Sequence, residues 1–166
     1  MTYPNRDAAN GAYAQICEWN GTMEQTGDMS DDMGNTIRLL GGGSRGDEAC
    51  VETFSAGYHA YFSKTGITNW VGLHINTIEF SRVLFNAKRF LGAIGLAQVG
   101  DAIALCHGAL IPENTYHWGM HAYIDKAGRY FGIFGNDDHR IEIREYDPNS
   151  AMLFDMSDYG HGMAVA

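Results

Sequence analysis

No stretch of this chain approaches the roughly 20 consecutive apolar residues that a membrane-spanning helix needs. The opening residues, Met1 to Asp7, have neither the charged n-region nor the apolar h-region of a secretory signal, which predicts a chain made and folded in the cytoplasm. Basic residues are scarce: 11 Lys and Arg stand against 20 Asp and Glu, for a net charge of −9. Without a basic stripe to neutralise phosphates, nucleic acid is excluded as a partner, and so is a polybasic contact with a membrane surface. Cysteines are few and odd in number. Cys17, Cys50 and Cys106 have no CxxC spacing, which argues against both a disulfide framework and a zinc ribbon and leaves at least one thiol free. Three prolines against 21 glycines point to many tight turns.

What is present is a globular composition, 45% hydrophobic and 19% charged over 166 residues, enough for one domain with a sizeable core. We expect a single domain over 1–166, with a helical part at 1–95, a sheet part at 100–147 and a C-terminal tail at 148–166. Ala12, Ile16 and Trp19 are spaced as one face of a helix over Ala8–Trp19. A short helix over Asn35–Leu40 ends at Gly41-Gly42-Gly43. From Glu48 to Lys64, with Asp47 as N-cap, Val51, Phe54, Tyr58, Tyr61 and Phe62 form an apolar stripe at helical spacing. Asn76, with Glu79 three residues on, starts a helix that carries Ile78, Phe80, Val83, Leu84 and Phe85 towards Phe90. Beyond Gly100-Asp101 the pattern becomes strand-like. Ala102–Cys106 is a short apolar run, and His117–Ile124 and Arg129–Phe134 flank a turn. Arg140–Tyr146 alternates as a half-exposed strand. Helices followed by an antiparallel meander define an α+β domain, the helices packed on the sheet.

Three separated segments carry chemistry. Cys50 falls in the first turn of its helix, where the helix dipole and free backbone N–H groups favour a thiolate and an oxyanion. His117 and His121 share one face of their strand with Gly119 between them, a glycine that leaves room for a substrate backbone. Asn136 lies in a Gly-Asn-Asp turn. A thiol nucleophile needs a base, and the base needs a third group to orient it. Each piece alone is ordinary; cysteines, histidines and turn asparagines commonly have structural roles.

The segments also resemble a known family. Asp47-Glu48-Ala49-Cys50 with Val51 and Phe54 is similar to the nucleophile helix of CHAP-type peptidoglycan amidases and endopeptidases and of related phage-associated proteins. Gly100-Asp101-Ala102-Ile103-Ala104-Leu105 resembles their Gly-Asp lead-in to the first core strand. His117-Trp118-Gly119-Met120 is similar to their histidine strand, and Gly135-Asn136 with Arg144-Glu145-Tyr146 to their Gly-Asn turn and Arg-x-Tyr strand. The likeness covers residues 47–147. It implies a papain-like (CHAP-like) fold with Cys50 as nucleophile, His117 as base and Asn136 orienting the imidazole; motif position selects His117 over His121. Trp118, Gly119 and Glu48 are the implied substrate-binding residues, and no cofactor is required. Ala49 and Tyr116 depart from the family, standing where tryptophan often precedes the cysteine and where glycine usually precedes the histidine. The implied function is a peptidoglycan hydrolase acting at the bacterial cell wall, as an endolysin or a virion-associated lysin. The alternatives are a non-catalytic virion or wall-binding module on the same scaffold, and a same-fold deamidase or acyltransferase.

Other constellations carry less. Cys106, His107, His117 and His121 are suitable zinc ligands, but their spacing matches no compact zinc motif. Asp28, Ser30 and Asp32 form a fragment of a calcium loop, with Leu39 where the closing glutamate belongs. Gly41-Gly42-Gly43-Ser44 lacks the Gly-Lys ending of a phosphate loop. Tyr58, Tyr61, Phe62, Phe80 and Phe85 read as core. Trp70 and Trp118 are suited either to a groove or to buried packing.

Overall fold

The computed structural model describes residues 5–21, 32–43, 50–92, 94–137 and 140–158. Among the described residues four α-helices come first: α1 (Asp7–Glu18), α2 (Asp32–Leu40), α3 (Cys50–Thr65) and α4 (Thr77–Asn86). Five strands follow: β1 (Ala102–Cys106), β2 (Thr115–Ile124), β3 (Tyr130–Asp137), β4 (Arg140–Tyr146) and β5 (Ala151–Phe154). The sheet is antiparallel with order β4-β3-β2-β1-β5. The α+β class and the order of helices before sheet are thus as the sequence predicts. The fifth strand is new. It lies inside the segment read as a tail and pairs with β1, Ala102 opposite Phe154 and Leu105 opposite Ala151.

Helix α3 is apolar on most sides and is correspondingly buried from Cys50 through Tyr58 and at Phe62. It packs on α1, α2, β2 and β3. Its contact with α1 is close because of Gly57, where a Cβ would come within 2.6 Å of Ile16 Cγ1. Helix α4 starts as expected, with Asn76 Oδ1 accepting from the Glu79 N–H at 2.9 Å. It stops four residues short of Phe90, and Val83 and Phe85 project outward (40% and 42% exposed), so Phe85 is not core.

Strand alternation divides the sheet into two apolar faces. On the helix side, Ala102, Ala104, Trp118, Met120, Ile133, Ile141, Met152 and Phe154 join Phe54, Tyr58 and Phe80. On the far side Ile103, Leu105, Phe134, Tyr146, Ala151 and Leu153 form a second cluster, covered in part by Leu91 and Ala97. A polar clasp draws the segment before α1 to the sheet. Arg6 reaches Asp101 just ahead of β1 (2.7 Å) and Asp155 just after β5 (3.2 Å).

Candidate active site

Cys50 is the first residue of α3 and is 8% exposed, within the helix-side cluster. With Ile16, Thr53, Phe54, Gly119, Met120, Ile133 and Gly135 it lines a small cavity too narrow to admit water. The start of α3 therefore lies on β2 and β3 at two glycines. Asp47 and Glu48, the expected N-cap and a substrate contact, lie outside the described residues.

His117 is half-buried near the start of β2. The β1–β2 register shifts just before it: Leu105 faces His117, while Cys106 faces Thr115. Its ring stacks on Phe134, centroids 5.5 Å apart and planes 10° from parallel. That is the far side of the sheet, shared with Leu105 and Tyr146. Cys50 and His117 thus approach the same stretch of β2 from opposite faces. Asn136 belongs to β3. It lies two residues beyond the Gly119–Phe134 pair at which the β2–β3 register ends, in the stretch where β3 shifts register against β4; its side chain lies outside the described residues. The structure therefore gathers the three segments at one place on the β2–β3 hairpin, with the His117 ring turned away from α3.

His121 occupies the same face as His117. It is buried and shares a 2.9 Å hydrogen bond between its Nδ1 and the Tyr146 hydroxyl. Burial lowers its pKa and raises that of Tyr146. His74 is likewise shifted down by burial, against the opposing effect of its bond to the Val71 carbonyl. Both imidazoles titrate below their ordinary 6.5 in the fold, so the unfolded chain takes up protons first on acidification. Stability from these two groups is complete above pH 6.5 and is lost as pH falls through the folded values. We expect the melting temperature to drop between pH 7.5 and 5.5, with the His121 imidazole titrating below 6.5 by NMR. A flat melting profile across that range would contradict this assignment.

Two of the implied substrate contacts turn out to be packing residues. Trp118 is fully buried between Phe54, Phe80 and Phe154. At Gly119 a Cβ would meet Phe134 Cδ1 at 2.4 Å and the Ile133 carbonyl at 2.6 Å. The space beside this glycine holds the Phe134 ring and offers no room for a substrate backbone. Of the zinc-type residues, Cys106 is buried, its Sγ 3.6 Å from the Ala104 carbonyl, whereas His107 is exposed and stacks on Tyr116. Among the described residues, no group of three or more His, Cys, Asp or Glu could hold a metal ion. The His121–Tyr146 bond and the His107–Tyr116 stack are additions. Both residue pairs are visible in the sequence, but nothing in their spacing announces that they meet.

Comparison with protein-family models, with curated proteins and with solved structures gave no match.

Proposed function

We propose that this chain is a cysteine hydrolase of the CHAP-like, papain-like class that cuts an amide bond of peptidoglycan. The observation that supports this reading is the seating of the first residue of α3, Cys50, on β2 and β3 at Gly119 and Gly135. His117 lies two residues from the first glycine and Asn136 next to the second. The Cys50 thiolate attacks the amide carbonyl, a C–S bond forms, and the Cys50 backbone N–H stabilises the oxyanion. His117, having taken the thiol proton, gives it to the leaving amine, and water then hydrolyses the thioester. Asn136 fixes the tautomer of the imidazole. Turnover requires β2 to slip by one residue at His117, so that the ring leaves its stack on Phe134 and comes to face α3. The register break immediately before it is the kind of irregularity that re-aims a strand side chain. The reading takes the enzyme to act at the cell wall, in phage lysis or from a virion.

A second reading has its own support. Cys50 is nearly enclosed by apolar side chains, and the His117 ring faces the other way. These features favour a non-catalytic wall-binding or virion module. Mass spectrometry of purified sacculi incubated with wild type and with Cys50→Ala separates the two. The hydrolase yields new muropeptides whose masses name the bond, and the variant lowers the yield by about 10³-fold or more. No products from either protein, across sacculi of several wall types, would leave the binding module or a same-fold enzyme acting on another substrate.

A further inference from the structure

Strand β2 outruns β1. Their pairing ends at Ala102 and Met120, and is continued only by the His121 N–H donating to the Asp101 carbonyl (2.7 Å) and the Gly100 N–H donating to the His121 carbonyl (3.0 Å). At Gly100, with a φ of 87°, the chain parts from β2 and lies close against Ala9 of α1. Among the described residues, Ala122, Tyr123 and Ile124 therefore have β3 on one side and no strand on the other. Asp125 donates its N–H to the Arg129 carbonyl on the β3 side at 2.9 Å, so antiparallel alternation directs the N–H and C=O of Ile124 to the open side. In the fork between this edge and residues 97–99 lies a cavity of about 460 Å³. It shares no residue with the cavity at Cys50.

The lining narrows the ligand. Arg6 reaches the cavity, but its guanidinium already donates to Asp101, Asp155, Ser157 and the Val99 carbonyl, which argues against an anion. No carboxylate lines the cavity, which argues against a cation. What stands open is the backbone donor and acceptor of Ile124 and the carboxamides of Asn10 and Gln98, both exposed and each able to donate and accept. Val99 and Ala122 supply apolar wall between them. Successive peptide groups with a small apolar side chain match that set. We infer that this fork binds an extended segment of another polypeptide, which adds as a short strand beside Ile124. Main-chain hydrogen bonds supply the affinity in such strand addition, and the pocket for an inward side chain supplies the selectivity. The far wall is ordered beforehand, since the Gln98 N–H donates to Asp101 Oδ2 and the Asp101 N–H to the Gln98 carbonyl. A net charge of −9 draws in basic sequences and repels acidic ones, so the incoming segment is uncharged inside the cavity and carries lysine or arginine beyond it. The site stands apart from the hydrolase reading and does not depend on it.

The test is an NMR titration with the blocked peptide acetyl-Lys-Val-Thr-Val-Lys-amide. Amide shifts concentrate at Gln98, Val99 and His121 to Ile124, and they saturate. Cys50→Ala binds alike, so the outcome is separate from that of sacculus digestion. N-methylation of the peptide's inner amides, which blocks strand pairing but keeps the side chains, weakens binding by about tenfold or more, and Gln98→Ala weakens it by about threefold. No shifts at millimolar peptide, shifts confined to other residues, or equal binding by the methylated peptide overturns the strand site. Shifts of the same residues on concentrating the protein alone, with a dimer in analytical ultracentrifugation, give the edge to a second copy of this chain and overturn a foreign strand.

Discussion

Arg6→Ala lowers the free energy of unfolding by about 3–5 kcal/mol, because it strands a buried carboxylate. Asp101 is 1% exposed. Its Oδ1 accepts from Arg6 and from the Met156 N–H, and its Oδ2 from the Gln98 N–H. Burial pushes the Asp101 carboxyl up, and the guanidinium is the foremost opposing influence. Arg6 also holds Asp155, Ser157 and the Val99 carbonyl, so its loss frees the sequences flanking β1 and β5 together. In a domain whose total stability is of order 5–15 kcal/mol, the melting temperature falls by about 10 °C or more. The sign with pH follows from the raised pKa. Protonation relieves the stranded charge, so the deficit of the variant is full above the folded pKa of Asp101 and shrinks as pH falls through it towards 3.8. Urea unfolding at neutral and acidic pH measures both. A neutral-pH loss below about 1 kcal/mol, the range of a solvated surface pair, would rule out the clasp as a stabilising element.

Trp118→Ala costs about 3–5 kcal/mol, as for other fully buried large aromatics. The indole is stacked on Phe80 at 4.6 Å and meets Phe54 edge-on at 5.4 Å, and Nε1–H donates to the Thr77 carbonyl at 3.2 Å. One side chain thus joins α3, α4 and β2, and its removal leaves a cavity and takes one donor from the Thr77 carbonyl, which keeps the Ser81 hydroxyl at 2.8 Å. Trp118→Phe keeps much of the packing and costs less. Chemical denaturation of the two variants checks this. A side chain lining a groove would behave differently, with ligand binding lost and stability nearly unchanged.

Much of the architecture is legible in the residues because local chemistry coincides with the fold. Asn76 with Glu79 marks the start of α4, the alternation of Arg140–Tyr146 gives β4 to the residue, and Ala102–Cys106 is β1. β5 is hidden for a physical reason. It has four residues, all buried, so it shows no period-two alternation, and its pairing with β1 spans nearly fifty residues. The expected end of α4 near Phe90 ignores how Ala87 caps the helix and how Lys88 turns the chain with a φ of 55°. At the candidate site, the position of Cys50 at the head of α3 and of His117 near the start of β2 can be read from the sequence, whereas Asn136, expected in a turn beyond Phe134, lies within β3, which runs on to Asp137. Which face each side chain takes cannot be read, because that depends on the register shift before His117 and on Phe134 filling the space beside Gly119.

The clasp also sets an order of events during synthesis. Arg6 and Asp155 are 149 residues apart, and a backbone bridge joins Asn5 to Asp158. On a ribosome, α1 emerges first yet meets these acceptors only once β5 and the residues after it have been made. Until then the nascent helices leave apolar surface open to chaperones. Closure between such distant segments is among the slow steps that topology imposes on a folding chain.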